Sequence, residues 1–165
     1  MNEIENLYKE IQPKIYAFFY IKTSNQAAAE DLTHDVFYEA CKGYKSFNRD
    51  STLQTWLFSI ANNLLKKYYR SNKYKRNLDS MLLNDMGNGS KSLEELFVIN
   101  EETRTLIKQI QSLDELSKEI VILRIYGELS FREIGQLIAK SENYVRVTFH
   151  RTKLKLQRET RRNDG

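Results

Sequence analysis

The residues best equipped for chemistry in this chain are cations, amides and aromatic rings, gathered in two segments. One runs through Asn62 and Asn63 to Lys66, Lys67, Tyr68, Tyr69 and Arg70. The other holds Asn143, Tyr144, Arg146, Val147, His150 and Arg151, with Lys153, Lys155 and Arg158 beyond. Lysine and arginine track phosphates, and aromatic rings stack unpaired bases at about 1–3 kcal/mol each. Arginine bonds guanine edges bidentately, and asparagine does the same to adenine. Both segments therefore have the makings of a nucleic-acid surface.

The charge distribution agrees. The formal net charge is only +4, but it is unevenly spread. Lys66 to Arg76 contains six basic residues and no acidic one, and Lys140 to Arg162 contains eight against Glu142 and Glu159. The first 35 residues run the other way, with six acidic side chains and three lysines.

Catalytic arrangements find no support. His34 and His150 lie far apart and Cys41 is the single cysteine, so no zinc spacing and no internal disulfide exist. No glycine-rich phosphate loop occurs. Glu94-Glu95 and Glu101-Glu102 fall on a helix, where sequence neighbours point to different faces, so they read as solvated charges. We expect no catalytic residue, no metal and no cofactor. A lone cysteine suits a reducing compartment. No apolar stretch approaches the roughly 20 residues that span a bilayer, and a start with Glu3 and Glu5 is not a signal peptide. The expectation is a soluble, cytoplasmic protein without membrane contact of its own.

The elements that must position these residues are helical. One proline and six glycines are too little punctuation for an all-β fold. Ile4, Leu7, Tyr8, Ile11, Ile15, Phe18 and Phe19 recur at helical spacing, with a kink or break expected at Pro13. Ser24 or Asn25 can cap a second helix with Leu32, Val36, Phe37 and Ala40 inward and Gly43 at its end. Its outer face, through Glu30, Asp31, His34 and Asp35, suits a basic protein partner, although a solvated face is the default for any acidic helix. A loop from about 44 to 54 leads to a helix over about 55–74, with Leu57, Ile60, Ala61, Leu64 and Tyr68 on one side. Trp56 and Tyr68 are expected to be at least half buried.

The stretch 77–92 contains Gly87-Asn88-Gly89-Ser90 and reads as a linker. Ser92 with Glu95 forms a capping-box pattern for a helix over about 93–111. Next comes a helix carrying Ile120, Leu123 and Ile125, stopped near Gly127. Ser130 with Glu133 caps a short helix with Ile134, Leu137 and Ile138 inward. Ala139-Lys140 is a turn, and Ser141 caps a final helix burying Val145, Phe149 and Leu156. Asn143, Val147, His150 and Arg151 then face away from that core. This is the helix-turn-helix layout, whose second helix enters the DNA major groove. A plain helical hairpin accounts for the polar groups alone, but not for capping, core spacing and charge together.

These segments resemble the extracytoplasmic-function σ factors, the minimal two-domain members of the σ70 family. The likeness rests on AAEDLTHDVFYEACKGYKSF, TWLFSIANN and KKYYR in the first half, and on LSFREIGQLIAKSENYVRVTFHRTKLKL in the second. It implies an all-α chain of two small helical domains, 1–76 and 93–165, joined by a flexible linker at 77–92. It also implies an activity: binding core RNA polymerase and directing promoter-specific initiation. The acidic face at Glu30, Asp31, His34 and Asp35 would dock on the clamp helices. Phe47, Arg49, Asp50, Ser51, Thr52 and Leu53 would capture a base flipped from the −10 element. Asn63, Lys66 and Arg70 would lie on the melted strand, and Asn143, Tyr144, Arg146, Val147, His150 and Arg151 would read the −35 element. The partners implied are core polymerase, through its clamp helices and flap, and promoter DNA. Relatives are often held by an anti-σ protein, often membrane-anchored, which adds an anti-σ factor to the partners.

The chain departs from the common family pattern at several places. His34 and Asp35 stand where Gln and Glu are frequent, Lys67 where Asp is common, Thr148 where many members have Arg, and Gly135 where Ala is usual. The rival reading is an autonomous regulator that binds duplex DNA without polymerase, as a dimer on a palindrome. It leaves the acidic helix and aromatic loop without a purpose.

Overall fold

The computed structural model describes residues 2–82 and 101–164, and every regular element among them is helical. The chain divides into two compact units, Met1–Ser92 and Leu93–Gly165.

The first unit opens with α1 (Asn2–Thr23), whose first turn carries Glu3 and Glu5 and whose last carries Lys22. These charges complement the helix dipole at each end. Ile4, Ile11, Ile15, Phe18 and Phe19 form its buried face. Pro13 lies inside this helix and does not divide it. A proline ring removes one backbone donor and crowds the preceding turn, but Ile11 and Ile15 are both buried and hold the helix to the core on either side.

Ser24 turns the chain with φ of 54°, and Asn25 caps α2 (Gln26–Gly43), its Oδ1 accepting from the Ala28 N–H at 3.0 Å. Asn25, not Ser24, is the cap. Ala29, Leu32, Thr33, Val36, Phe37 and Ala40 are buried. Thr33 is the polar member of that set, and its hydroxyl donates to the Ala29 carbonyl at 2.6 Å. Tyr8 of α1 meets Phe37 edge to face, with ring centroids 4.8 Å apart.

At Gly43 the helix rolls into a 3-10 turn, Tyr44–Ser46. Gly43 has φ of −93°, so conformational freedom is not its use here. An added Cβ would lie 3.4 Å from the Trp56 ring, at ordinary contact distance.

Thr52 caps α3 (Leu53–Leu82), its Oγ1 accepting from the Thr55 N–H at 3.1 Å. The helix starts two residues before the expected Thr55 and continues past the expected Tyr74, through the first six positions of the expected linker. No Gly or Pro occurs from Thr55 to Leu82, so no helix breaker interrupts it over the described residues. The rest of that linker, and the expected Ser92–Glu95 cap, lie outside the described residues. Leu53, Leu57, Phe58, Ala61 and Leu65 are buried. Ile60, Leu64 and Tyr68, expected on the core side, are half-buried.

The second unit contains α4 (Glu101–Gln111), α5 (Glu115–Ile125), α6 (Phe131–Ile138) and α7 (Glu142–Asp164). Asp114 caps α5 through the Ser117 N–H at 3.1 Å. Ile120, Val121, Ile122 and Leu123 are all buried, because α4, α6 and α7 each pack against this helix. Ile125 is 41% exposed and does not join the core as expected. At about 100° per residue it points some 140° away from Ile120. After α5 the left-handed residue is Glu128, with φ of 56°. The Tyr126 and Gly127 N–H groups both bond the Ile122 carbonyl, at 2.9 and 3.1 Å.

Candidate nucleic-acid interface

The helix-turn-helix geometry is built from hydrogen bonds within the chain's own neighbourhood. Ser130 and Glu133 form a complete capping box: Ser130 Oγ accepts from the Glu133 N–H, and Glu133 Oε1 accepts from the Ser130 N–H, each at 3.1 Å. The helix α6 ends at Ala139, which takes a left-handed conformation with φ 59° and ψ 46°. The Lys140 N–H returns to the Gly135 carbonyl at 3.0 Å. Gly135 suits this turn, since an added Cβ would stand 2.6 Å from the Lys140 carbonyl oxygen and the turn would have to shift. Ser141 then caps α7, accepting from the Tyr144 N–H at 3.0 Å.

Along α7, Val145, Phe149, Thr152 and Leu156 form the buried stripe. Thr152 was not expected there; its hydroxyl bonds the Thr148 carbonyl at 2.8 Å, which removes the cost of burying it. The opposite side carries Asn143, Tyr144, Arg146, Val147, His150 and Arg151, all six exposed. Asn143, Val147, His150 and Arg151 recur at i, i+4, i+7 and i+8 and share one face. Arg146 donates to Glu142 Oε1 at 3.2 Å on the flank. Exposed pairs of this kind are worth little, so an incoming phosphate or base edge can replace the carboxylate. Phe131, at the start of α6, supports this end of α7: its ring lies 5.9 Å from that of His150 and 5.9 Å from the Arg146 guanidinium. Lys153, Lys155 and Arg158 are exposed further along the helix.

The first unit presents two further surfaces. Glu30, Asp31, His34 and Asp35 are all exposed on α2, opposite its buried face. Tyr38 continues that surface and is 63% exposed, with the Lys42 ammonium 5.1 Å from its ring centroid. Sequence reasoning passed over Tyr38, although its position four residues after His34 places it on the same face.

The other surface joins the loop before α3 to α3 itself. Asn63, Lys66, Lys67 and Arg70 are exposed at i, i+3, i+4 and i+7, which makes a continuous stripe. Lys67 adds a cation in the middle of it. Tyr69 is tethered, its hydroxyl donating to the Lys22 carbonyl at 2.8 Å. Trp56 and Tyr68 are half-buried.

The six loop candidates are divided in their surroundings. The Phe47 ring stacks on Trp56 with centroids 4.8 Å apart and is half-buried. Thr52 spends its hydroxyl on capping α3, and Leu53 is only 7% exposed and belongs to the core. Ser51 bonds the Thr52 carbonyl at 3.2 Å. Arg49, Asp50 and Thr52 are exposed, and of these Arg49 and Asp50 have side chains not used in capping α3. Arg49 has φ of 62° and donates to Glu3 Oε2 at 3.2 Å. Glu3 and Tyr44, which anchor this loop, were not legible as site residues because their contacts span more than 40 positions. Among the described residues no group of three or more His, Cys, Asp or Glu side chains is arranged to hold a metal ion, and no helix is long and apolar enough to cross a membrane.

Two family models match in order: Sigma-70 region 2 over residues 7–74 and Sigma-70, region 4 over residues 103–156. The chain belongs to the extracytoplasmic-function σ factors of the σ70 family. Similar proteins include the RNA polymerase sigma factor YlaC of Bacillus subtilis, 28% identical over 95% of this σ factor and 91% of the relative. The ECF RNA polymerase sigma factor SigW of the same organism is 28% identical over 96% of this chain and 88% of its own. Among solved structures, the sigma factor RpoE of Bartonella quintana, in complex with the anti-sigma factor NepR, has a TM-score of 0.71 at 20% identity, covering 96% of each chain. CnrH, in complex with the cytosolic domain of CnrY, has a TM-score of 0.63 at 19% identity, covering 96% of this chain and 85% of that one. These two likenesses are of fold.

Proposed function

We propose that this σ factor divides promoter recognition between its units: α7 reads the −35 element in duplex form, and the loop with α3 captures and holds the melted −10 strand. The observation that carries this reading is the contrast between surfaces in one chain. A helix-turn-helix exposes Asn143, Tyr144, Arg146, Val147, His150 and Arg151 together. The other unit couples an outward Arg49–Asp50 loop to a cationic stripe. Asn143 and Arg151 supply bidentate contacts to base edges, while Lys153, Lys155 and Arg158 hold register on phosphates.

In the first unit, Arg49 and Asp50 contact a base extruded from the stack, and Phe47 and Trp56 form the aromatic floor beneath them. Capturing that base removes it from the duplex and so favours melting. Lys66, Lys67 and Arg70 follow the backbone of the opened strand, with Asn63 beside them. Glu30, Asp31, His34 and Asp35 dock on the clamp helices of core RNA polymerase, with Tyr38 as an apolar contact at the edge, and the second unit engages the flap. Each contact raises the effective concentration of the others. The protein works without catalytic chemistry, in the cytoplasm, and without membrane contact of its own. An anti-σ factor is a further partner, since RpoE and CnrH were each solved with a bound protein.

The test is transcription. Purified protein and core RNA polymerase are incubated with genomic fragments, and start sites are mapped. Defined starts absent with core alone are expected, and aligning them yields both elements. Tight specific binding of free protein to duplex DNA, without core binding, would instead favour the autonomous regulator, a reading that has no use for the region 2 match over residues 7–74.

A further inference from the structure

We infer that Glu3, in the first turn of α1, is a positioning residue for the loop that meets the −10 strand. The inference rests on the reading of that loop given above. Residues 47–52 form no helix or strand, and Arg49 holds a left-handed backbone conformation with φ of 62°. Such a conformation is uncommon for a residue with a side chain and persists where the surroundings impose it.

Two constraints impose it here. Beneath the loop, Phe47 stacks on Trp56. From the side, a single carboxylate oxygen, Glu3 Oε2, accepts from the Tyr44 hydroxyl at 2.7 Å and from Arg49 Nη2 at 3.2 Å. Glu3 thus pins the start of the segment and its outermost cation to one point on α1. These two donors also hold the Glu3 carboxyl below the usual carboxylate range, so it stays ionised and able to serve both.

The arrangement orients Arg49 without using it up. Its side chain remains 65% exposed, and a guanidinium has five N–H donors, of which Glu3 engages one nitrogen. Exposed ion pairs add little to folding stability. Glu3 therefore matters for how the loop is shaped before DNA arrives, and little for whether the unit folds.

The experiment uses the full chain assembled with core polymerase, tagged at its C-terminus. The probe is a labelled single-stranded oligonucleotide carrying the non-template −10 sequence of a promoter mapped as above. Glu3→Ala is expected to weaken oligonucleotide binding about 3- to 10-fold, the scale for losing one preorganised contact group. Glu3→Gln, which still accepts from Tyr44, should lose less. Glu3→Ala should cost less in an Arg49→Ala background than in the parent, because only the Tyr44 tether is then left to lose, and the melting temperature, core affinity and duplex −35 affinity should stay unchanged. Unchanged oligonucleotide binding in Glu3→Ala, or additive losses in the double variant, would overturn the positioning role. Tighter binding would overturn it as well, by making Glu3 a competitor for Arg49. If Arg49→Ala and Asp50→Ala both leave oligonucleotide binding intact, the loop itself has been misassigned and the inference falls with it.

Discussion

The two units present similar side chains, cations with amides and aromatics, but they position them by different means. In the second unit the determinants are near in sequence: the Ser130–Glu133 box, left-handed Ala139, the Gly135–Lys140 approach and the Ser141 cap. In the first, Arg49 is oriented by Glu3, 46 positions away, and Phe47 by Trp56 on the next helix. A duplex is a regular target and rewards a helix set at a fixed angle. An unpaired base has no fixed frame, and a loop shaped by several distant anchors can close around it. The difference in how the sites are encoded therefore matches the difference in the targets we propose for them.

The sharpest way to break the comparison is to unfold one side of it. Phe58 is fully buried, its ring meeting Phe18 edge to face at 5.7 Å. Phe58→Ala should cost the first unit about 3–5 kcal/mol, a large share of the stability of so small a domain. Binding to the −10 oligonucleotide should be lost while duplex −35 binding persists. Joint loss of both, followed by fluorescence anisotropy and circular dichroism, would show that the units do not stand alone.

A second contrast separates tracking a backbone from reading bases. Replacing Lys66, Lys67 and Arg70 by glutamine should lower the salt dependence of single-strand binding. The slope falls by roughly 0.7 per phosphate contact, so by about 2 for three contacts. Arg151→Ala should leave its duplex salt slope nearly unchanged and cost about 1–3 kcal/mol of discrimination at one base pair. A uniform loss across all −35 sequences would make Arg151 a phosphate contact and blur the distinction.

What the sequence revealed follows the same line. The capping box, a cap at Ser24 or Asn25, the cap at Ser141 and the exposed face of α7 were legible because each depends on spacing within a few residues. The unbroken α1 was not: Pro13 is a local signal for interruption, and the burial of Ile11 and Ile15 that overrides it is tertiary. The length of α3 was not legible because the stretch from residue 77 has few charges and no sustained hydrophobic period and leads into Gly87-Asn88-Gly89-Ser90, yet no Gly or Pro falls between residue 77 and Leu82. In the loop before α3, Leu53 was expected to meet DNA, yet it fills the core, while Thr52 stays exposed and caps the helix. The Thr52 cap is local, whereas only the packing of α1, α2 and α3 on one another places Leu53 in the core.

The smallest expected effect tests whether local geometry really governs the second unit. Gly135 stands inside α6, where alanine would ordinarily gain about 1 kcal/mol through helix propensity. Here the added Cβ would meet the Lys140 carbonyl oxygen at 2.6 Å. That atom belongs to the backbone of a turn already committed by left-handed Ala139 and by the Lys140 N–H bond to Gly135. Crowding of this kind costs about 1–3 kcal/mol, so the two terms oppose and the steric one prevails narrowly. Gly135→Ala should destabilise the second unit by about 1 kcal/mol, a fall of roughly 4–8 °C in its melting temperature. Because the turn sets the angle at which α7 leaves α6, duplex affinity should fall with it while single-strand binding stays level. A rise in melting temperature would mean that the turn opens by a few tenths of an ångström at little cost, and that the angle of α7 is held by the buried stripe of Val145, Phe149, Thr152 and Leu156 rather than by the turn.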